Sequence, residues 1–322
     1  MAEIPMAIAI RDAIKEEMQR DERVFVMGED VQTAMMGNTA HLVDDFGVER
    51  VRNTAICENT IVESAVGAAV AGMRPVVDIM FSSFLYVAGN PTIVDAARIR
   101  YMFGNQRGVP MVILGLNGAL NVCGASHSES VQAKLWNAPG LKIVLPSTPS
   151  DAKGLMKTAI RDDDPVIFLE HMALAGEIGE VPDEEYTIPF GQAVIRREGK
   201  DVTVVATLTM VRKALNVAES LASKGISVEV IDPRTLVPLD KKSILKSVAK
   251  TGRLVVMDES NKSCGVASEI SAIVCEEAFD SLKAPIKRLA TMDVPFAGSI
   301  PLENFILPDE QKLTKAIEEI LT

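Results

Sequence analysis

The sequence predicts an α/β protein with two doubly wound domains, in which parallel β-strands form sheets that helices cover on both faces. Three observations lead to this prediction. Short, continuously apolar runs alternate with longer helical patterns, and such runs are typical of strands in a buried parallel sheet. The alternation stops at an acidic stretch with glycines and prolines, and it then starts again. A chain of 322 residues is also long enough for two hydrophobic cores.

In the first half, an amphipathic helix is predicted over residues 5–20 and a helix of small residues over 61–72. A further helix starts at Thr148-Pro149-Ser150-Asp151, which supplies a capping hydroxyl, a proline at the first position and an acid in the first turn. Strands are predicted at five apolar runs, residues 24–27, 76–81, 111–114, 141–145 and 166–169. Together these elements predict the parallel sheet of the first domain.

Residues 172–189 are acidic and carry two glycines and two prolines, so this stretch is predicted to join two domains. The predicted boundaries are 1–175 for the first domain, 176–190 for the linker and 191–322 for the second domain. In the second domain, strands are predicted at residues 202–206, 227–231, 254–257 and 286–289, with helices between them. The second domain is therefore a smaller parallel α/β unit.

Composition restricts the classes of function. The chain has 33 Lys and Arg against 44 Asp and Glu, a net charge of −11, which argues against nucleic acid or an anionic membrane as a partner. The uncharged residues 108–127 contain glycine, proline and asparagine, which argues against a membrane span. The start lacks a basic signal-peptide region, and the four cysteines form no CxxC pair. We therefore expect a cytoplasmic protein with buried, reduced thiols.

Several common catalytic signatures are absent from the sequence. There is no G-x-G-x-x-G after a strand, no G-x-x-x-x-G-K-[ST], no G-x-S-x-G and no H-E-x-x-H. A doubly wound protein without these motifs either binds a cofactor in a different geometry or shares a phosphate-binding site that another chain provides.

Glu58 is the first candidate site residue, because it is the one charge between Arg52 and Glu63. A carboxyl group in apolar surroundings can hold or share a proton near neutral pH. Thiamine diphosphate needs such a group, since a protein carboxylate must hydrogen-bond its aminopyrimidine ring. The alternative is an ordinary surface glutamate at the end of a strand.

His127 is the second candidate, in a loop that leads into a predicted helix which Ser128 is expected to cap. An imidazole is suited to proton transfer at physiological pH, although an ordinary loop histidine is the alternative. Phe84 follows a strand and could pack on a flat heterocycle or on the sheet. The acidic run 162–164 follows the negative end of a helix dipole, which favours a bound cation over a solvated helix end.

Over nearly its whole length, the chain resembles the β subunits of thiamine-diphosphate-dependent 2-oxo acid dehydrogenases. The resemblance is carried by residues 24–31, 67–76, 139–142, 146–155, 159–162, 165–171 and 229–236. It implies a transketolase-like pyrimidine-binding domain followed by a transketolase C-terminal-like domain. It also implies decarboxylation of a 2-oxo acid with acyl transfer to lipoamide on an acyltransferase core.

The same resemblance assigns roles to single residues. Glu58 matches the glutamate that contacts the pyrimidine nitrogen of the cofactor, Phe84 the aromatic residue near that ring, and His127 the active-site histidine. Some relatives bind potassium, at positions that match Met111, Ala159, Ile160, Asp162 and Asp164. The Gly-Asp-Gly motif of the diphosphate and magnesium site is missing here, because in the family it lies on the α subunit. The implied assembly has two α and two β chains.

Three departures leave the substrate open. Asn90-Pro91 stands where the family usually has Asp-Gln, Leu114 where arginine is common, and residues 117–121 where it has a glycine-rich loop. Tyr101-Met102-Phe103-Gly104 is more similar to acetoin dehydrogenase β chains. The alternatives are therefore an acetoin dehydrogenase subunit, a non-catalytic scaffold subunit that lost its activity, and a single-chain thiamine enzyme, against which the missing Gly-Asp-Gly argues.

Overall fold

The computed structural model describes residues 1–119 and 123–322, which form two compact units. Unit 1 consists of Met1–Asn117 and Lys134–Phe190, and unit 2 of Gly118–Ala133 and Gly191–Thr322. The units differ from the predicted domains in two places. Residues 118–133 belong with unit 2 although they lie inside the predicted first domain, and residues 176–190 belong with unit 1.

Unit 1 is built on parallel strands in the order β6-β7-β5-β4-β2-β3. The strands of this unit are β1 (Ala2–Pro5), β2 (Val24–Gly28), β3 (Val51–Asn53), β4 (Arg74–Phe81), β5 (Val112–Asn117), β6 (Lys142–Val144), β7 (Val166–His171) and β8 (Ile178–Val181). β1 and β8 form a separate antiparallel pair. Every residue of β2, β5 and β7 is buried, as expected for strands that are covered on both faces.

Helices flank these strands, and the predicted cap at Thr148 is present: its hydroxyl accepts a hydrogen bond from the Asp151 amide at 3.2 Å. The helices up to residue 175 are α1 (Met6–Arg20), α2 (Leu42–Phe46), α3 (Glu58–Val70), α4 (Ile99–Met102), α5 (Gln132–Trp136), α6 (Pro149–Arg161) and α7 (Met172–Ala175). A 3₁₀ turn over Ser82–Tyr86 and a π-helical segment over Asn90–Ala96 follow β4. Within the described ranges, no helix has both the length and the hydropathy that a membrane span requires.

Unit 2 contains a second sheet in the order β14-β13-β10-β11-β9. The strands of unit 2 are β9 (Val194–Arg197), β10 (Val202–Ala206), β11 (Val228–Asp232), β12 (Thr235–Val237), β13 (Leu254–Asn261) and β14 (Lys287–Thr291). Its helices are α8 (Thr209–Ala222), α9 (Lys241–Thr251), α10 (Val266–Glu277), α11 (Ile300–Ile306) and α12 (Glu310–Leu321). The sheet is parallel except for β9, which pairs antiparallel with β11 at the edge. One core packs α8 and α12 on this sheet.

Residues 176–190, which were predicted to be a linker, are bound to unit 1 by strand pairing, hydrogen bonds and ion pairs. β8 pairs with β1, and the Tyr186 hydroxyl donates a hydrogen bond to the Ser150 carbonyl at 2.8 Å. Lys157, which has no exposed side-chain surface, forms ion pairs with Glu16 and Glu185. The contact with Lys157, together with a further one to Arg161, lowers the pKa of Glu185 to about 2. A buried ammonium group needs such partners, so this segment contributes to the stability of unit 1.

The four cysteines are free, as predicted, but all of them are exposed, so the prediction of buried thiols is wrong. Cys57 directly precedes α3, where the neighbouring residues Ala55, Ile56 and Asn59 are exposed as well.

Candidate active site

The candidate residues of unit 1 follow strands that end at one edge of the sheet. The carboxyl ends of parallel strands meet at the same edge, and open α/β sheets bind their ligands there. Glu29 follows β2, the segment 54–58 follows β3, and Phe84 lies in the 3₁₀ turn after β4. The sheet therefore places Glu58 and Phe84 at one edge of unit 1.

Glu58 is the first residue of α3. The Thr54 amide donates to the Gly28 carbonyl at 2.9 Å, which ties the preceding segment to the end of β2. The sequence predicted a buried carboxyl group, but Glu58 is half-buried in this chain. The reason is its place in the first turn, because α3 packs on the sheet through later residues such as Ile61, Val62 and Ala65.

Glu29 is a second carboxyl group near Glu58, and it was not among the residues predicted from the sequence. Burial raises the pKa of Glu29, and the negative charges of Asp30 and Glu58 raise it further. Gly28 brings the chain close to β4 here, since a Cβ atom would lie 2.2 Å from the Asp78 carbonyl oxygen. An acid that directly follows a buried strand at the carboxyl edge is the signal that could have identified it.

Phe84 is held in place by aromatic packing. Its ring meets Phe81 edge to face, with centroids 5.4 Å apart and planes at 89°. Phe84 is half-buried, so part of the ring is accessible in the single chain. Nearby in the sequence, the Ser82 hydroxyl donates to the Asn117 side-chain oxygen at 3.0 Å and joins the ends of β4 and β5. The turn that carries Phe84 is therefore anchored to the sheet.

Two further carboxyl groups lie deeper in unit 1. Burial raises the pKa of Asp78 on β4 to about 6. Burial, together with the charge of Asp78, raises the pKa of Glu170 on β7 to about 8. The Asn38 amide donates to Glu170 at 3.3 Å. The protonated form of Glu170 is therefore favoured, and the apolar runs that predicted these strands did not indicate this.

His127 belongs to unit 2, in the segment Gly118–Ala133. It is half-buried, and the Ser126 hydroxyl lies 2.8 Å from its Nδ1 atom. The prediction that Ser128 caps the following helix is wrong, because α5 begins only at Gln132. Instead, Ser128 is buried and its amide donates to the Gly124 carbonyl at 2.9 Å.

A cavity of about 430 Å³ lies in unit 2 beside this segment, lined by residues that include Ala125, Ser128, Glu129, Asn261 and Phe296. Residues 117–121 are one of the places where this sequence departs from the family it resembles. Of these residues, Asn117, Gly118 and Ala119 are described, whereas Leu120 and Asn121 lie outside the described residues.

The five predicted potassium ligands come close together in unit 1, but their oxygen atoms already have partners. The Arg74 guanidinium donates to the carbonyl oxygens of Ile160 at 2.9 Å and of Asp162 at 2.8 Å. The Met111 and Ala159 carbonyl oxygens accept backbone hydrogen bonds from Val166 and Asp162. A cationic side chain therefore stands where the resemblance implies a metal cation.

The carboxylates of this cluster are paired as well. Lys142 lies 2.7 Å from the Asp162 carboxylate and 3.4 Å from that of Asp164, which is also paired with Arg100. Potassium would have to bind next to these positive groups, and like charges at such distances repel. The residues present do not fit a potassium ion, and the potassium site stays a prediction from the resemblance.

We expect exchange of potassium for tetramethylammonium at equal ionic strength to change the melting temperature by less than about 2 °C. Arg74→Ala would release two carbonyl oxygens, so potassium should then stabilise the variant by binding its native state. Arg23→Ala is the control, since Arg23 pairs with Asp21 in the same region without touching the predicted ligands. Strong stabilisation of the unmodified protein by potassium would restore the predicted site.

Comparison with known proteins first defines the class. The models of the transketolase pyrimidine-binding domain and the transketolase C-terminal domain match residues 2–176 and 191–313. A solved structure described as a split-gene transketolase, inactive β4 tetramer, has a TM-score of 0.81 at 22% identity and covers 99% of both chains. The predicted fold, two transketolase-like α/β domains, is confirmed.

Sequence relatives then define the family. The 2-oxoisovalerate dehydrogenase subunit beta of Bacillus subtilis is 44% identical, over 97% of this chain and 97% of the relative. The pyruvate dehydrogenase E1 component subunit beta of Rickettsia felis is 44% identical, over 99% and 98%. The acetoin:2,6-dichlorophenolindophenol oxidoreductase subunit beta of Cupriavidus necator is 41% identical, over 99% and 97%. The chain belongs to this family of 2-oxo acid and acetoin dehydrogenase β subunits, as its sequence predicted. It is an oxidoreductase subunit, and the family implies thiamine diphosphate and an α subunit.

Proposed function

We propose that this chain is the β half of a thiamine-diphosphate-dependent 2-oxo acid dehydrogenase that acts on a pyruvate-like substrate. The acyl group would be transferred to lipoamide on an acyltransferase core. The observation that carries this proposal is the placement of Glu58 and Phe84 at the carboxyl edge of unit 1, in a chain without a phosphate-binding motif.

The residues at this edge fit the pyrimidine end of the cofactor. Glu58 offers a carboxyl group that can exchange a proton with a ring nitrogen, and Phe84 offers an aromatic surface. The Thr54 hydroxyl, four residues before Glu58, is buried and has no hydrogen-bond partner within the described ranges. A buried hydroxyl without a partner is costly, so it supports a polar ligand in this region.

When bound, thiamine diphosphate supplies the carbanion chemistry of the reaction. The protein residues hold it and move protons. Glu58 would accept and return the proton of the pyrimidine nitrogen, and the raised pKa of Glu29 provides a second acid near it. His127 would stabilise a carboxylate near the reactive centre or pass a proton to the incoming lipoyl group, because an imidazole is suited to proton transfer.

The diphosphate and magnesium ends of the site would come from the α subunit. The sequence has no Gly-Asp-Gly, and among the described residues no group of three His, Cys, Asp or Glu side chains could hold a metal ion. A diphosphate needs backbone donors or a divalent cation to replace its water. We therefore infer an assembly of two α and two β chains, in the cytoplasm, with magnesium bound by α.

A second candidate is cleavage of acetoin by the same half-site. The observation in its favour is the run Tyr101-Met102-Phe103-Gly104, which is more similar to acetoin dehydrogenase β chains, and acetoin enzymes are among the relatives at 41% identity. A scaffold subunit without activity is less well supported, since Glu58 and His127 are both present.

The substrate can be identified with the co-expressed αβ complex. Pyruvate, branched-chain 2-oxo acids and acetoin are each supplied with an artificial electron acceptor, and the products are identified by mass spectrometry. We expect the highest kcat/KM with a short, pyruvate-like 2-oxo acid. A preference for acetoin would select the second candidate, and no turnover of any substrate by a complex with bound cofactor would support the scaffold.

A further inference from the structure

The end of β13 carries a buried carboxylate that accepts hydrogen bonds from three side chains. Asp258 has no exposed surface. Its oxygens accept from the Thr207 hydroxyl at 2.5 Å, from the Ser260 amide at 2.7 Å and from the Ser260 hydroxyl. The Gln132 amide nitrogen lies 3.1 and 3.3 Å from the two oxygens. Every one of these partners is a donor, so the arrangement suits an ionised carboxylate although burial raises the pKa of Asp258.

Gln132 connects this carboxylate to the segment that carries His127. It is the first residue of α5, it follows His127 by five positions, and it is fully buried. The neighbouring residue on β13, Glu259, accepts a hydrogen bond from the Ala119 amide at 3.4 Å. Two consecutive carboxylates of one strand therefore contact both ends of residues 119–132.

A backbone hydrogen bond within Gly118–Ala133 restrains this segment further. The Gly118 amide donates to the Glu129 carbonyl at 2.8 Å and forms an antiparallel bridge. His127 precedes Glu129 by two positions and Gln132 by five, so its backbone position depends on the contacts at these two residues. Because a proton-transfer group must lie within hydrogen-bond reach of its target, a shift of about 1 Å can lower the rate 100-fold.

We propose that Asp258 and Gln132 are positioning residues that hold the His127 segment of unit 2 in its working conformation. This inference rests on the proposed role of His127 in proton transfer. Neither Asp258 nor Gln132 needs to contact the substrate for this role.

Gln132→Met tests this proposal in the αβ complex, because methionine keeps the length of the side chain and removes its N–H donors. We expect kcat to fall about 10- to 100-fold, with unchanged KM for the substrate and unchanged cofactor affinity. In a His127→Ala background the same change should have no further effect, since Gln132 acts through His127. Asp258→Asn replaces one acceptor oxygen by an N–H₂ donor that faces the donors around it, and it should behave alike.

A second readout is independent of turnover. In the complex without cofactor, acylation of His127 by diethylpyrocarbonate, followed by peptide mass spectrometry, should be severalfold faster in Gln132→Met than in the unmodified chain. His41, whose side chain is 80% exposed, is the internal reference.

Thr203→Val is the matched control. The buried Thr203 hydroxyl lies 2.6 Å from that of Ser247 and 2.8 Å from that of Thr251, so its loss removes a buried polar contact of unit 2 elsewhere. It should leave kcat and the acylation of His127 unchanged.

Normal kcat and normal acylation of His127 in Gln132→Met would overturn the proposal. So would an equal loss of kcat in Thr203→Val, or a further loss in the His127→Ala background. If the unmodified complex turned over no substrate, the proposed function would fail, whereas the acylation rates would still decide whether Gln132 holds the segment.

Discussion

Replacing Glu58 with glutamine is expected to lower the turnover of the αβ complex by about 100- to 10,000-fold, which is the usual contribution of a general acid or base. Glutamine has nearly the same shape and keeps a hydrogen-bonding side chain at the start of α3. It cannot exchange a proton with the pyrimidine nitrogen of the cofactor. The loss should therefore appear in kcat, while the fold and the assembly with α remain intact.

Glu63→Gln is the control for this experiment, because Glu63 is an exposed glutamate of the same helix. Circular dichroism and the melting temperature should be the same for both variants, and only Glu58→Gln should lose activity. Turnover of Glu58→Gln at the level of the unmodified complex would show that the carboxyl group of Glu58 is not part of the chemistry.

The chain without its α subunit is expected to bind thiamine diphosphate very weakly and to turn over no substrate. Glu58 and Phe84 would contact only the uncharged pyrimidine ring of the cofactor. This sequence has no motif that would bind the charged diphosphate. Calorimetry with magnesium and cofactor should detect binding by the αβ complex and none by the β chain. Tight magnesium-dependent binding by the β chain alone would contradict the proposal of a shared site.

The isolated chain should also self-associate, because each unit exposes apolar side chains. In unit 1, Tyr101, Met102 and Phe103 are 91%, 55% and 60% exposed, and in unit 2 Ile300, Leu302 and Phe305 are 60–65% exposed. Sedimentation velocity should show higher oligomers of the isolated chain, and these should dissociate when the α subunit is added. A monodisperse monomer at high concentration would show that these surfaces do not need a partner.

The sequence predicted the alternation of strands and helices well, because buried parallel strands are continuous apolar runs. β10 has the predicted bounds, residues 202–206. Several strands were predicted too short, among them β5, which extends to Asn117, and β13, which extends to Asn261. Their last residues are polar, so the apolar pattern ends before the backbone pairing does. These polar strand ends carry Asp258 and Asn117, which were missed for that reason.

The candidate site was predictable where a single residue stood out from its neighbours. Glu58 was an isolated charge and Phe84 an aromatic residue after a strand. Gln132 and Asp258 were not predictable, because they are separated by 126 positions and each is ordinary in its local sequence. The same holds for Arg74, whose contacts with Ile160 and Asp162 span more than 80 positions.

The path of the chain between the two units restricts how members of this family can be recombined. Because Gly118–Ala133 belongs with unit 2, the chain enters that unit twice, and neither unit is one uninterrupted stretch of sequence. A chimaera joined at residue 190 would combine the His127 segment of one parent with the β13 carboxylates of the other. Functional chimaeras therefore require two further junctions, at residues 117 and 134. Residues 118–133 and strand β13 then come from the same parent.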